Sequence, residues 1–248
     1  MSLFLTLTFL FSIGAILGWC LEVVYRRFFS SANPERRWIN PGFCTGPYLP
    51  LYGSGLCILY LLASLERFDL TGSLLWNRCV LFLAMAVCMT GIEYIAGILC
   101  IKVAKVRLWD YSGNWGNLQG IICPAFSLAW AVLGAVYYFG IHPYILDALA
   151  WLSENLAFSF GIGMFYGVFI IDLVHSAQLV SKIKAFADER DIIVRYESLK
   201  LHIRQFHEKT AQKPHFLFSF RSEMSLAEHL SQAHDAWEER KEKHQKRA

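Results

Sequence analysis

Apolar positions along this chain gather into long unbroken runs. Five stretches, 3–25, 48–65, 78–101, 118–140 and 155–180, each carry at most one or two ionisable groups. A helix rises 1.5 Å per residue, so about 20 apolar residues cross the roughly 30 Å hydrocarbon core of a bilayer. The pattern predicts an all-α polytopic membrane helix bundle of about five transmembrane helices. The first run is expected to remain as a span and not be removed as a leader. No basic residue precedes it, no small-residue cleavage site follows, and it is long for a signal core. The segment His142–Glu154 is too short to span and is expected to lie in the interface as a short helix.

Beyond residue 180 the pattern turns polar. The expected division is a transmembrane bundle over 1–180 and a cytoplasmic helical tail over 181–248. The tail reads as two helices, 182–208 and 226–246, separated by a break at Lys213-Pro214. Ser225 followed by Glu228 fits a capping box for the second. The apolar patch Phe216-Leu217-Phe218-Ser219-Phe220 is expected to pack back on the protein; contact with lipid or a partner is the alternative.

Charge then orients the chain. The loop 26–47 has four Lys/Arg, the loop 102–117 three and the tail fourteen, whereas 66–77 has one and 142–154 none. With the N-terminus outside and the C-terminus cytoplasmic, every basic-rich segment faces the cytoplasm, as expected of a multi-pass protein of the cytoplasmic membrane. The net charge of +3 arises in the tail, with fourteen basic and eleven acidic residues. That is no nucleic-acid binder's excess, so nucleic acid is not an expected partner. Membrane lipid is.

No cofactor and no metal site are expected. The seven cysteines lie between Cys20 and Cys123 without CxxC spacing and read as small apolar residues. Six of eight histidines, His202, His207, His215, His229, His234 and His244, are in the tail, but H-x4-H spacing misses the i, i+4 alignment of helical ligands.

Three acids fall inside the runs: Glu22, Glu93 and Asp172. A charge near the bilayer centre costs about 2.5–3.5 kcal/mol on insertion scales, so such residues face the bundle interior or a cavity. In the orientation above all three lie in the cytoplasmic half. Glu93 is nine residues before Lys102, a depth of roughly 13 Å. Glu22, one turn before Arg26, can equally snorkel and pair with a nearby arginine. His175 follows Asp172 on the same helix face and can share its proton, or be an ordinary bundle histidine. Gly14, Gly18 and Glu22, spaced i, i+4, i+8, leave one face of the first run bare for close helix approach.

Two loops on the same side are unusual. Residues 40–55 (NPGFCTGPYLPLYGSG) are rich in Gly and Pro yet apolar, with Asn40 and Tyr52 as polar members. Irregular backbone of this kind is expected where it is buried in protein or lines a cavity. The second, WDYSGNWGNLQG at 109–120, offers Asp110, Tyr111, Ser112, Asn114 and Asn117. It can also be read as an interfacial aromatic belt with turn residues. The acids and loops together predict a polar acidic vestibule open to the cytoplasm. Glu22, Glu93, Asp172, His175, Asp110, Tyr111, Ser112, Asn114, Asn117, Asn40 and Tyr52 are its substrate-binding or proton-relay candidates.

Several of these motifs occur in the order found in one family. Gly18-Trp19-Cys20-Leu21-Glu22, the glycine- and proline-rich run from Gly42 to Gly55, Glu93-Tyr94, Trp109-Asp110-Tyr111-Ser112 and Asn117-Leu118-x-Gly120 together resemble the putative ABC-transporter type IV permease family of bacterial membrane proteins, over about 18–143. The resemblance implies a multi-span permease subunit and no established substrate. Two departures stand out. Pro41 and Ile121 occupy positions where the family pattern often carries arginine, so two basic partners for the buried acids are absent.

The chain contains no Gly-x-x-x-x-Gly-Lys-Ser/Thr run, so an ATP-driven role requires a separate ATPase subunit. The leading expectation is thus a permease-like subunit that is not itself an enzyme and is able to form a homo-oligomer. Two alternatives stay open. One is an intramembrane enzyme acting on a lipid or lipid-linked substrate, with Asp110, Ser112 and His175 supplying nucleophile and base. The other is a non-catalytic scaffold whose tail recruits cytosolic partners.

Overall fold

The computed structural model describes residues 2–30, 33–67, 72–210, 216–218, 220, 222 and 224–245. The break expected at Lys213-Pro214, His215 and the side chain of His244 lie outside the described residues. The chain is almost entirely helical: α1 Leu3–Phe28, α2 Pro50–Ala63, α3 Leu74–Ala104, α4 Pro124–Val136, α5 His142–Glu154, α6 Ser159–Glu189, α7 Tyr196–Lys209 and α8 Leu226–Gln245. Two short strands, β1 Val106–Arg107 and β2 Val194–Arg195, pair in parallel. Among the described residues four helices are long and apolar enough to cross a membrane, and Pro50–Glu66 is a shorter apolar helix. The protein is a multi-pass membrane helix bundle.

The structure revises two expectations about the fourth run. Residues 118–123 are not helical: Leu118 and Ile122 form an antiparallel bridge, and the helix begins at Pro124, whose missing N–H suits a first turn. His142–Glu154 is not a separate interfacial helix. It continues α4 through a π turn at Tyr137–Ile141, giving one apolar helix Pro124–Glu154. Pro143 cannot donate to the preceding turn, and the wider turn just before it accommodates that lost bond.

The tail also divides differently. The helix expected over 182–208 is two: α6 runs on to Glu189, and α7 starts at Tyr196. Between them Asp191 takes a left-handed φ of 49°, and Val194 and Arg195 pair with Val106 and Arg107. Pairing with a strand distant in sequence overrides the local helical pattern.

The chain folds as two compact units. One contains Met1–Cys20, Tyr48–Ile98 and Asp110–Ile171. Its core joins Leu10, Leu59, Met85, Met89, Trp130 and Leu149. Here the bare face of α1 meets α2: a Cβ on Gly18 would lie 2.1 Å from Tyr52 Cβ, and one on Gly14 2.8 Å from Leu56 Cβ. Only glycine permits that approach. Large apolar side chains such as Leu83, Val87, Ile95, Leu128 and Val168 are exposed, as helices bathed in lipid require.

The other unit contains Leu21–Pro47, Leu99–Trp109 and Asp172–Ala248. Its core joins Val106, Ile183, Phe186, Tyr196, Leu199 and Ile203. Tyr196, Leu199, Lys200, Ile203 and His207 are the buried residues of α7, at helical spacing on one face. A lysine on that stripe breaks the apolar pattern. The capping box forms: the Glu228 N–H donates to Ser225 Oγ (3.3 Å) and the Ser225 N–H to the Glu228 carboxylate (3.1 Å). Phe220 of the apolar patch packs against this core, while Phe218 is exposed.

Candidate functional site

In the first unit the centre is Glu93 on α3, 3% exposed. Trp130 Nε1 donates to its Oε2 at 2.8 Å, and the Tyr111 hydroxyl donates to Oε1 at 3.0 Å. Both of these donors are neutral groups. Tyr111 is fixed by stacking on Phe126, with ring centroids 4.2 Å apart and planes at 6°. Tyr52 lies against Trp130, centroids 5.2 Å apart, so the side chain that meets bare Gly18 also buttresses the indole.

The polar loop 110–123 exists to hold Tyr111 in place. The Tyr111 N–H donates to Gly120 O at 2.8 Å, across a turn in which Gly116 and Gly120 take left-handed φ of 65° and 67°. Asn117 Nδ2 donates to Ser112 O (3.1 Å) and Asn114 O (2.9 Å), and its Oδ1 accepts from the Gly120 N–H (3.0 Å). Asn114 Nδ2 contacts Cys123 Sγ at 3.4 Å. Asp110 accepts from the Ser112 N–H at 3.1 Å and from its hydroxyl. Asp110, Ser112, Asn114 and Asn117 thus build the turn, while Tyr111 reaches the buried acid.

In the second unit Asp172 on α6 is bound by loop backbone. The Thr45 N–H donates to Oδ1 (3.2 Å), the Gly46 N–H to Oδ2 (2.8 Å), and Ser176 Oγ to Oδ1 (3.3 Å). Asn40, buried, ties the same loop by donating to Cys44 O (3.2 Å) and Thr45 O (2.8 Å). Lys200 of α7 donates to Asn40 O (2.8 Å) and Gly42 O (2.7 Å). Glu22 pairs with Arg26 at 2.9 Å, the alternative already open for it, and Arg26 also pairs with Glu197 at 2.5 Å. His175 lines a cavity of about 260 Å³ with Cys44, Thr45, Tyr196 and Lys200.

Electrostatics in this unit follow burial. Burial drives the Lys200 ammonium down to about 7, with the Arg26 guanidinium acting in the same direction and Glu197 against it. Burial pushes the Cys44 thiol up to about 12; Asp172 adds to the shift and Lys200 opposes it. Cys44 is therefore an inert thiol.

The structure brings Glu93 together with Tyr111 and sets Tyr52 behind Trp130. It brings Asp172 together with the loop that Asn40 organises. Glu22 belongs to an ion-pair network with partners other than these. Sequence reasoning paired Glu22 with a nearby arginine without foreseeing that Arg26 also reaches Glu197, and it missed Trp130 and Lys200. Each carried a signal: an indole N–H inside an apolar run needs an acceptor, and Lys200 interrupts the stripe 196, 199, 203, 207. Among the described residues no group of three or more His, Cys, Asp or Glu could hold a metal ion.

Long helices with exposed apolar side chains, one of them carrying the buried acid Glu93, define a multi-pass membrane protein. The chain belongs to the family described as Putative ABC-transporter type IV, whose model matches residues 9–177, more than half of its length. The matched span is longer than the motifs alone indicated and includes Glu22, Glu93 and Asp172; Glu197 and Lys200 lie beyond it. No curated protein and no solved structure matches the chain.

Proposed function

We propose that the chain is the permease-type membrane subunit of an ATP-driven transporter, working with a separate ATPase subunit on a small solute or lipid. Its N-terminus is outside, and the loops 26–47 and 102–117 and the tail beyond residue 180 face the cytoplasm, where the ATPase docks. The basic residues concentrated in those segments support this orientation. The family match supports the transporter role.

Glu93 is the group that meets cargo or exchanges a proton. One observation carries this assignment: a carboxylate buried within a membrane-crossing helix receives the Trp130 indole N–H on one oxygen and the Tyr111 hydroxyl on the other. A carboxylate so held keeps its capacity to accept a cation or a proton. The Tyr111 loop gives that centre its polar entrance on the cytoplasmic side. Asp172, with His175 one turn on, and Glu22 are further polar groups on that side, and Asp172 orders the loop at 40–46.

The test uses the complex purified in mild detergent from native membranes and reconstituted into proteoliposomes. A stoichiometric nucleotide-binding subunit is expected, with ATP-dependent change in lumenal pH or lipid distribution read by fluorescent reporters. Glu93→Gln should insert and assemble as the wild type does but lose that ATP-dependent signal. A complex without a nucleotide-binding subunit, or wild-type signal in Glu93→Gln, overturns the proposal.

A further inference from the structure

Lys200 is 5% exposed and lies in the second unit, apart from the Glu93 centre. Two of its hydrogens go to Asn40 O and Gly42 O. A neutral amine has two hydrogens and one lone pair, so these two carbonyls take up both of its hydrogens. The ammonium form has a third N–H, and among the described residues no further acceptor takes it. Two aromatic faces lie close to its charge, Tyr196 at 4.6 Å and Phe220 at 5.8 Å from the ring centroids. The charged form is thus one acceptor and one counter-charge short.

The neighbouring charges do not make up the deficit. Arg26 of α1 disfavours the ammonium, and Glu197 of α7, which favours it, is paired with Arg26 at 2.5 Å. Asp172 of α6 is taken up by the Thr45 and Gly46 N–H groups and Ser176. Cys44 on the loop stays a thiol, Tyr196 a phenol pushed up by burial, and His175 of α6 lines the cavity wall. Lys200 borders the same cavity of about 260 Å³, whose remaining wall is apolar: Phe43, Leu179, Leu217, Phe218 and Phe220. A basic group beside this stretch of apolar wall suits a ligand with an anionic head and a hydrocarbon body.

We propose that this cavity binds an anionic amphiphile, a carboxylate or phosphate head on an apolar chain, and that Lys200 takes up one proton as the head group binds. The anion supplies the missing acceptor and charge, the chain lies on the phenylalanines and leucines, and the proton comes from solvent. The site is therefore a sensor or carrier site for anionic lipid-like molecules, built from residues of the second unit.

The sign of the pH dependence follows. Free Lys200 titrates at about 7, and an anion beside it raises that value. Below about pH 7 the amine is already protonated and affinity is flat. Above it, each bound anion brings in a proton, and affinity falls about tenfold per pH unit.

The experiment is calorimetric titration of octanoate into the full chain in nanodiscs, with empty nanodiscs subtracted, in two buffers of different ionisation heat. Saturable binding with close to one proton taken up at pH 8, and about tenfold weaker binding at pH 9, is expected. Octanol and acetate should bind far more weakly than octanoate. Lys200→Arg should keep binding but lose both proton uptake and the pH slope, because arginine stays charged. Leu179→Trp, which fills the cavity without touching the amine, should abolish binding while the protein elutes as wild type. Absence of saturable binding, octanol or acetate equal to octanoate, an unchanged pH slope in Lys200→Arg, or wild-type binding in Leu179→Trp would overturn the inference. Because none of these readouts involves transport, its failure leaves the Glu93 assignment standing, and the reverse holds.

Discussion

The indole N–H of Trp130 on α4 donates to the carboxylate of Glu93 on α3 at 2.8 Å, thirty-seven residues away in sequence. The two helices are joined by a buried hydrogen bond to an acid. In hydrocarbon neither group has water as an alternative partner, so the bond fixes both the depth and the rotation of the helices.

Trp130→Phe keeps the ring volume roughly intact and removes the donor. Leaving one carboxylate oxygen without its partner should lower stability by about 1–3 kcal/mol. Thermal unfolding in detergent, followed by size-exclusion elution, measures it. Tyr111→Phe should show a smaller loss, because its hydroxyl reaches Glu93 from a loop whose own turn remains intact. Equal stability of Trp130→Phe and wild type would mean that the bond orders nothing.

Gly18 and Gly91 make a matched pair of controls. A methyl on Gly18 would fall 2.1 Å from Tyr52 Cβ, whereas one on Gly91 meets nothing within 4 Å. Gly18→Ala should therefore cost about 1–3 kcal/mol by forcing α1 from α2. Gly91→Ala should be neutral in the same melting assay. Two similar melting temperatures would refute the close approach.

Arg26 stands between Glu22 and Glu197, and all three side chains are at most 18% exposed. Arg26→Met leaves two carboxylates without their shared cation and should destabilise the second unit by about 3–5 kcal/mol. Hydrogen exchange in α7 should rise first, since Glu197 is the α7 end of the bridge. Adding Glu197→Gln should recover part of the loss. If the double variant were simply the sum of the two singles, the ion pair would contribute no coupling.

His229 gives the tail a pH response. Its ring is buried against Phe206, 5.0 Å between centroids, with Ser222 Oγ 2.9 Å from Nε2. Burial first, then His202 and His207 of α7, hold its titration below the ordinary value near 6.5, against the weaker pull of Glu228. A depressed histidine binds fewer protons folded than unfolded, so stability falls as pH drops below about 6.5 and is full above it. Exchange of the α8 amides should accelerate at pH 5.5 relative to pH 7.5. In His229→Gln that difference should shrink; an undiminished acid response would assign the effect elsewhere.

Much of this was written in the chain. The runs around 3–25, 78–101 and 155–180 announced α1, α3 and α6 because twenty apolar residues have few other stable uses. The bare face at Gly14 and Gly18 announced a close helix approach without naming its partner, and Ser225 with Glu228 announced the start of α8. Glu93 announced itself by the cost of burying a carboxylate, and Tyr111 by its place in a loop too polar for its surroundings. What pattern alone could not supply was partnership. Whether Asp172 turns to His175 or to the Thr45 and Gly46 N–H groups depends on where a loop 126 residues away comes to rest.

The sequence by itself determined where the long apolar helices lie and which of them carry acids, because these depend on local composition and on the cost of apolar surface and charge. The tertiary structure decided that His142–Glu154 continues α4, that residues 190–195 leave the helix to pair with Val106 and Arg107, and that Trp130, Arg26 and Lys200 are the groups the buried acids and loops rely on. Those outcomes rest on hydrogen bonds and ion pairs between distant segments, whose energy exists only once the segments meet.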